Sequence, residues 1–200
     1  MAQQPFTEAG FDATFDKKQS IKYGAILGVI SLIFGIAIYH ITPYTSSFWM
    51  STIVSKLLNE GVYIIFSLLF AYAMRKNYGG SWNFTVALKS TFLMLFISTL
   101  IGVLGTEVYV TYINTDIQRE SLEHTMNLAI ESMENEKIAA ETIDARIIDF
   151  EKTISELENK TIGSVLRGLA IAVLLQFIFS LFLAALTRNE KLAPRSNNLN

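Results

Sequence analysis

The sequence predicts an all-α integral membrane protein: a four-helix bundle in the bilayer, with an extramembrane antiparallel helical hairpin between helices 3 and 4. Three observations carry that reading. Hydrophobic residues make up 51% of the 200-residue chain, and the mean hydropathy of +0.37 is positive, which is unusual for a water-soluble fold. The apolar residues gather in four blocks of roughly 20, the length a helix needs to cross a hydrocarbon core about 30 Å thick. Between the third and fourth blocks lies a long polar segment whose apolar residues recur at helical spacing.

Residues 1–21 read as a polar cytoplasmic N-terminus, too polar for a cleavable signal, so the first apolar block is expected to stay as a helix. That first span, about 22–41, carries Gly24-Ala-Ile-Leu-Gly28, with Ser31 and Gly35 continuing a stripe of small residues on nearly the same face. Small side chains let helix backbones approach closely in lipid, where packing replaces the hydrophobic effect as the driving force. Packing against another span is the simpler use of this stripe, and a homodimer seam is the competing one. Pro43 ends the helix, and Tyr44, Phe48 and Trp49 suit an interfacial aromatic belt.

The second span, about 52–74, closes on Arg75-Lys76-Asn77 and a turn at Tyr78-Gly79-Gly80, where paired glycines reverse the chain. The third, about 84–113, has Trp82 at one end and Tyr109 and Tyr112 at the other. The fourth, about 162–187, has an apolar core from Gly168 to Leu186 interrupted only by Gln176 and Ser180. Residues 188–200 form a polar tail, expected in the cytoplasm.

Orientation rests on the short flanks, since Lys and Arg near span ends are retained in the cytoplasm. Lys17, Lys18 and Lys22 precede the first span, Arg75 and Lys76 come after the second, and Arg188, Lys191 and Arg195 come after the fourth; all fall on one side. The connection from Thr42 to Ser55 has no positive residue, and residues 114–161 contain twelve acidic against five basic residues. Both belong outside, which places both termini in the cytoplasm.

Within that acidic segment, Leu122, Met126, Ile130 and Met133 form one stripe, and Ile143, Ile147, Phe150, Ile154 and Leu157 form a second with the heptad rhythm of packed helices. No Gly or Pro interrupts the chain from Thr106 to Thr161. The third span is therefore expected to continue outward as a helix, turn near Asn135 to Ala140, and return into the fourth as a hairpin. Two separate surface helices are the alternative.

Ionisable residues inside spans are the default place to look for function, since each costs about 2.5–3.5 kcal/mol at mid-membrane by insertion scales. Lys56 and Glu60 lie one helical turn apart near the outer end of the second span, Glu107 lies about two turns inside the third, and Arg167 a little over one turn inside the fourth. The four are expected at one depth in the outer leaflet. Mutual neutralisation that cements the spans is one reading; an outward-facing polar cavity for an ion, proton or small polar solute is the other. Lys89, near the cytoplasmic end of the third span, suits snorkelling.

Other chemistries find no foothold. The absence of cysteine removes disulfides, thiol nucleophiles and thiolate metal sites. His40 and His124 have no ligand spacing around them, and the acidic segment lacks the pattern of a calcium loop, so no metal and no cofactor is expected. There is no phosphate-cradling loop, metalloprotease motif or nucleophile elbow, and no basic patch with interleaved aromatics for nucleic acid. The chain is expected to be no enzyme.

Lys22-Tyr-Gly-Ala-Ile-Leu-Gly28, the Gly79-Gly80-x-x-x-Phe84-x-x-Ala87-x-Lys89 entry to the third span, the Glu- and Met-bearing loop and the basic stop after the fourth span resemble the domain-of-unknown-function 4199 family of small four-span bacterial membrane proteins. The resemblance runs from about Lys22 to Arg188 and implies a bacterial inner-membrane address with no assigned activity or site residues. Beside its lipid bilayer, the expected partner is a protein met through the acidic hairpin, or a second copy of the chain met through the small-residue stripe. The competing function is a small transporter or channel component built on Lys56, Glu60, Glu107 and Arg167.

Overall fold

The computed structural model describes residues 15–77 and 82–189. The polar stretch before residue 15, the turn at Tyr78-Gly79-Gly80, and Lys191 and Arg195 of the tail lie outside the described residues. Within them the chain is helical apart from short linkers and one isolated bridge between Trp82 and Asn189. Four helical stretches are long and apolar enough to cross a membrane: 17–44, 48–77, 84–113 and 162–187.

The first is α1 (Lys17–Ile41). Its start is fixed by Asp16, whose carboxylate accepts from the Lys18 and Gln19 amides at 2.9 and 3.2 Å, supplying a partner for N–H groups that have none inside the helix. The helix begins ahead of the expected apolar block, because the polar turn Lys17 to Ile21 propagates from this cap. At the other end Pro43 tightens the chain into a 3₁₀ turn, Thr42–Tyr44. The second stretch is α2 (Phe48–Lys56), a π-helical turn at Leu57–Gly61, and α3 (Val62–Asn77). The third is α4 (Phe84–Val108), N-capped by Asn83, with a second π-helical turn at Tyr109–Ile113.

Here the structure departs from the expected unbroken outward helix. Asn114 adopts φ −140° and ψ 89°, so helical hydrogen bonding stops there without any Gly or Pro. Asn competes with the helix ladder through its own side chain, which makes it a serviceable breaker. The chain restarts as α5 (Ile117–Asn135), turns at 136–139, and runs on as α6 (Ala140–Glu158). Lys137 makes the turn at φ 55°. The last helix is α7 (Ile162–Thr187), opened by a capping box in which Thr161 and Ser164 exchange side-chain and backbone bonds at 3.2 and 3.0 Å.

In packing, α4 is central and lies against both α1 and α7, while the second stretch touches α1, α4 and α7 more thinly. The core is formed by Leu27, Met74, Trp82, Ala87, Met94, Leu95, Leu183 and Ala184. The small-residue stripe is spent inside the chain. A Cβ on Gly24 would stand 2.6 Å from the Met94 carbonyl oxygen, and one on Gly28 2.8 Å from the Ile101 Cβ. Only glycine allows α1 and α4 to come this close. Ser31 faces Gly102, whereas a Cβ on Gly35 would meet nothing nearer than the Thr106 hydroxyl at 3.9 Å. The stripe therefore starts as a tight seam and ends at open space.

Outside the spans α5 and α6 pack on each other, and α5 also rests on the ends of α1 and α2. Phe150 of α6 is buried, with the Arg146 guanidinium 4.9 Å from its ring centre.

Candidate functional site

The open space lies among α1, α4, α7 and the π turn of the second stretch, in the half of the molecule that carries α5 and α6. It is a cavity of about 660 Å³, within the range of small-molecule sites. Its walls are mainly apolar, yet polar groups from every surrounding element converge on it. Tyr39 comes from α1, Asn59 and Glu60 from the π turn, Tyr63 from α3, Ser98, Thr99 and Glu107 from α4, Gln118 from α5 and Gln176 from α7.

Each element presents these groups for an identifiable reason. The π turn inserts one residue into the second stretch, and π turns recur at functional sites. The insertion rotates the remainder of the helix by about 100°, given 3.6 residues per α turn, and Asn59 and Glu60 then line the cavity while Lys56 does not. Gly61, at the end of that turn, permits the looser winding. On α1 the small residues Ser31 and Gly35 leave the volume that larger side chains would fill. α7 is buried only toward its far end, at Ser180, Leu183, Ala184 and Thr187; Ile171, Leu174 and Leu175 nearer its start are more than half exposed. The cavity is consequently open along that side.

Its polar floor keeps hydrogen-bonding capacity unused. The Tyr63 hydroxyl faces those of Ser98 and Thr99, but none of the three closes a well-formed hydrogen bond, and the Gln176 Oε1 is likewise buried without a partner. Ser98 is 1% and Thr99 7% exposed. Helical Ser and Thr ordinarily return their hydroxyls to the carbonyl one turn back, as Thr91 does to Ala87 at 2.9 Å. Leaving such a group buried and unpaired costs about 1–3 kcal/mol. Ser67 and Ser90, buried and also unpaired, lie about one turn below Tyr63 and two turns below Ser98 by residue count, toward the opposite end.

The rim is held together by polar contacts. The Gln118 amide donates to the Tyr39 hydroxyl at 2.9 Å, His40 and the Tyr109 hydroxyl lie 2.7 Å apart, and a His124 ring nitrogen lies 3.0 Å from the Thr45 carbonyl oxygen. These bonds tie α5 and the second π turn to the end of α1. Both histidines are thus occupied in joining elements.

The four ionisable residues singled out in the spans do not meet as one group. Glu60 and Glu107 line the cavity; Lys56 and Arg167 do not. Among the described residues no ion pair joins Lys56 to Glu60, although they stand four residues apart. Glu107 pairs with Lys160, at 2.5 Å, rather than with Arg167. Arg167 sits on an exposed face of α7 beside Leu166, which is 59% exposed. Lys160 stands just ahead of the α7 capping box and reaches across to α4. Beyond this pair lies a second cavity of about 770 Å³ among α4, its π turn, α5 and the start of α7, and Glu107 lines both.

Sequence reasoning found Glu60 and Glu107 from their place in apolar blocks and marked Gln176 as an interruption. It missed Lys160, counted with the acidic loop, and Tyr63, Ser98 and Thr99, which are too common in membrane helices to stand out.

The family model described as a protein of unknown function, DUF4199, matches residues 22–189, as the residues from Lys22 to Arg188 lead one to expect. No curated protein and no solved structure matches the chain.

Proposed function

We propose that this chain, which belongs to the DUF4199 family, is a non-enzymatic multi-pass protein of a bacterial inner membrane that takes a small polar solute into its intramembrane cavity, as a transporter or channel component. The basic flanks support an orientation with both termini cytoplasmic and α5 and α6 outside, so that the cavity opens outward. One observation carries the reading: hydroxyls on a buried face of α4, at Ser98 and Thr99, line this space and face only the Tyr63 hydroxyl across it, without closing a well-formed hydrogen bond. Buried polar groups in apolar surroundings are retained at such cost when something else satisfies them, whether water or a bound solute. The unpaired Ser67 and Ser90 extend the same chemistry toward the other side of the membrane, as a conducting route requires.

The chain has no cysteine, so a single introduced thiol is reported without background. Ser98→Cys should react in intact cells with a small membrane-impermeant thiosulfonate added outside, while Met94→Cys, buried in the helix core, should not. A thiol at 98 as inert as the one at 94 would remove the cavity reading.

A second reading is favoured by α6. Phe150 is its one buried residue among those described, and Ile148 stands 63% exposed amid an acidic surface. Such a face suits a basic protein partner, and crosslinking from position 148 should then capture one reproducible neighbour.

A further inference from the structure

The lining of the cavity also restricts what it can hold. Among the described residues Glu60 and Glu107 are its only charged lining groups, and no Lys or Arg lines it. Glu107 is neutralised by Lys160. Glu60 makes no ion pair among the described residues, although the π turn brings it to the cavity wall. An unpaired carboxylate at the edge of a low-dielectric space repels anions and concentrates cations.

The rest of the wall suits an organic cation over a bare metal ion. The aromatic side chains of Tyr39, Tyr63 and Phe179 line it, and rings of this kind attract ammonium groups through their negative faces. No group of three or more His, Cys, Asp or Glu side chains suited to a metal ion occurs among the described residues, and calcium or magnesium needs six to eight oxygen ligands or an octahedral shell. The floor offers four oxygens that close no well-formed hydrogen bond, at Tyr63, Ser98, Thr99 and Gln176. These suit the hydrogen bonds of an N–H or hydroxyl group, and the apolar wall suits a short hydrocarbon part.

Resting on the reading of this space as a hydrated solute cavity, we propose that the occupant is a small organic monocation of the amine class, its charge held by Glu60 and its polar end by Ser98, Thr99 and Gln176.

The thiol of Ser98→Cys tests this with two reagents of similar size, an aminoethyl thiosulfonate carrying a positive charge and a sulfonatoethyl thiosulfonate carrying a negative one. Rates are referred to those at Tyr44→Cys, a position 87% exposed in a segment free of basic residues and acids. The cationic reagent should be favoured at position 98 by about tenfold or more, the lower end of what a charged cleft achieves. Glu60→Gln should abolish that preference and Glu60→Asp should keep most of it. Tetramethylammonium should slow the labelling of the thiol at position 98 with Glu60 present and not with Glu60→Gln. Equal rates for the two reagents would overturn the amine assignment while leaving a hydrated cavity in place. Labelling at Tyr44→Cys with neither reagent reaching the thiol at position 98 would overturn both.

Discussion

The Lys160 ammonium lies 2.5 Å from the Glu107 carboxylate and joins the junction of α6 and α7 to the C-terminal part of α4, in the wall between two cavities. Glu107 lines both of them, so this contact couples the acidic helix pair to the intramembrane space. Both side chains are about three-quarters buried, which screens them less than a surface pair.

Breaking one side should therefore hurt more than breaking both. Lys160→Glu places two carboxylates together and should lower the melting temperature in detergent, as should Glu107→Lys. The exchanged pair, Glu107→Lys with Lys160→Glu, should recover most of the loss, a coupling of about 0.5–3 kcal/mol. Additive losses in the double variant would show that the two residues act separately.

The glycines of α1 make a graded prediction. Gly24→Ala puts a methyl 2.6 Å from a backbone oxygen that cannot move without its helix, an overpacking cost of about 1–3 kcal/mol. Gly35→Ala meets nothing nearer than 3.9 Å and should leave stability almost unchanged. Thermal unfolding in one detergent compares them directly. Equal effects would mean that the seam between α1 and α4 is looser than these distances imply.

How far the sequence could be read differs by scale. Block length and hydropathy mark out stretches able to cross a bilayer, because a crossing demands about 20 apolar residues whatever their identity, and four such helices stand among the described residues. The turn between α5 and α6 also falls where the two stripes meet. The π turns do not announce themselves. Their effect, which changes the face that Asn59 and Glu60 present to the cavity, depends on a single inserted residue that α-helical periodicity treats as absent. Lys160 was hidden for a related reason: a long side chain just outside a span reaches partners that counting inside spans never considers. The floor of the cavity is three-dimensional, assembled from Tyr63, Ser98 and Gln176 on three helices.

The helix pair gives a prediction of its own. Phe150 is the one buried residue of α6 among those described, and Phe150→Ala removes the ring on which Arg146 stacks. A large-to-small change of this kind costs about 3–5 kcal/mol where the site is well packed. Since α6 touches little besides α5, the loss should stay local. Backbone amides of α6 should exchange hydrogen markedly faster while those of α4 keep their protection. Faster exchange throughout would place the helix pair within the cooperative unit of the spans.

At the opposite end, the Trp82 indole, 1% exposed, donates to the Thr187 carbonyl oxygen at 2.8 Å, and the Arg75 guanidinium donates to the same oxygen at 3.3 Å. That carbonyl belongs to the last residue of α7, where the helix supplies no N–H donor of its own, and the two donors flank the connection between α3 and α4. Trp82→Phe removes the indole N–H and part of a buried ring while leaving the Arg75 donor in place, so it should cost at least as much as one hydrogen bond, about 0.5–1.5 kcal/mol. Arg75→Met alone should cost a similar amount. With both changes the carbonyl is buried and unpaired, and the combined loss should exceed the sum of the two. Additivity in detergent melts would mean that water already serves this helix end. A synergistic loss would identify Trp82 and Arg75 as the joint clamp that holds α7 to α3, opposite the open side of the cavity.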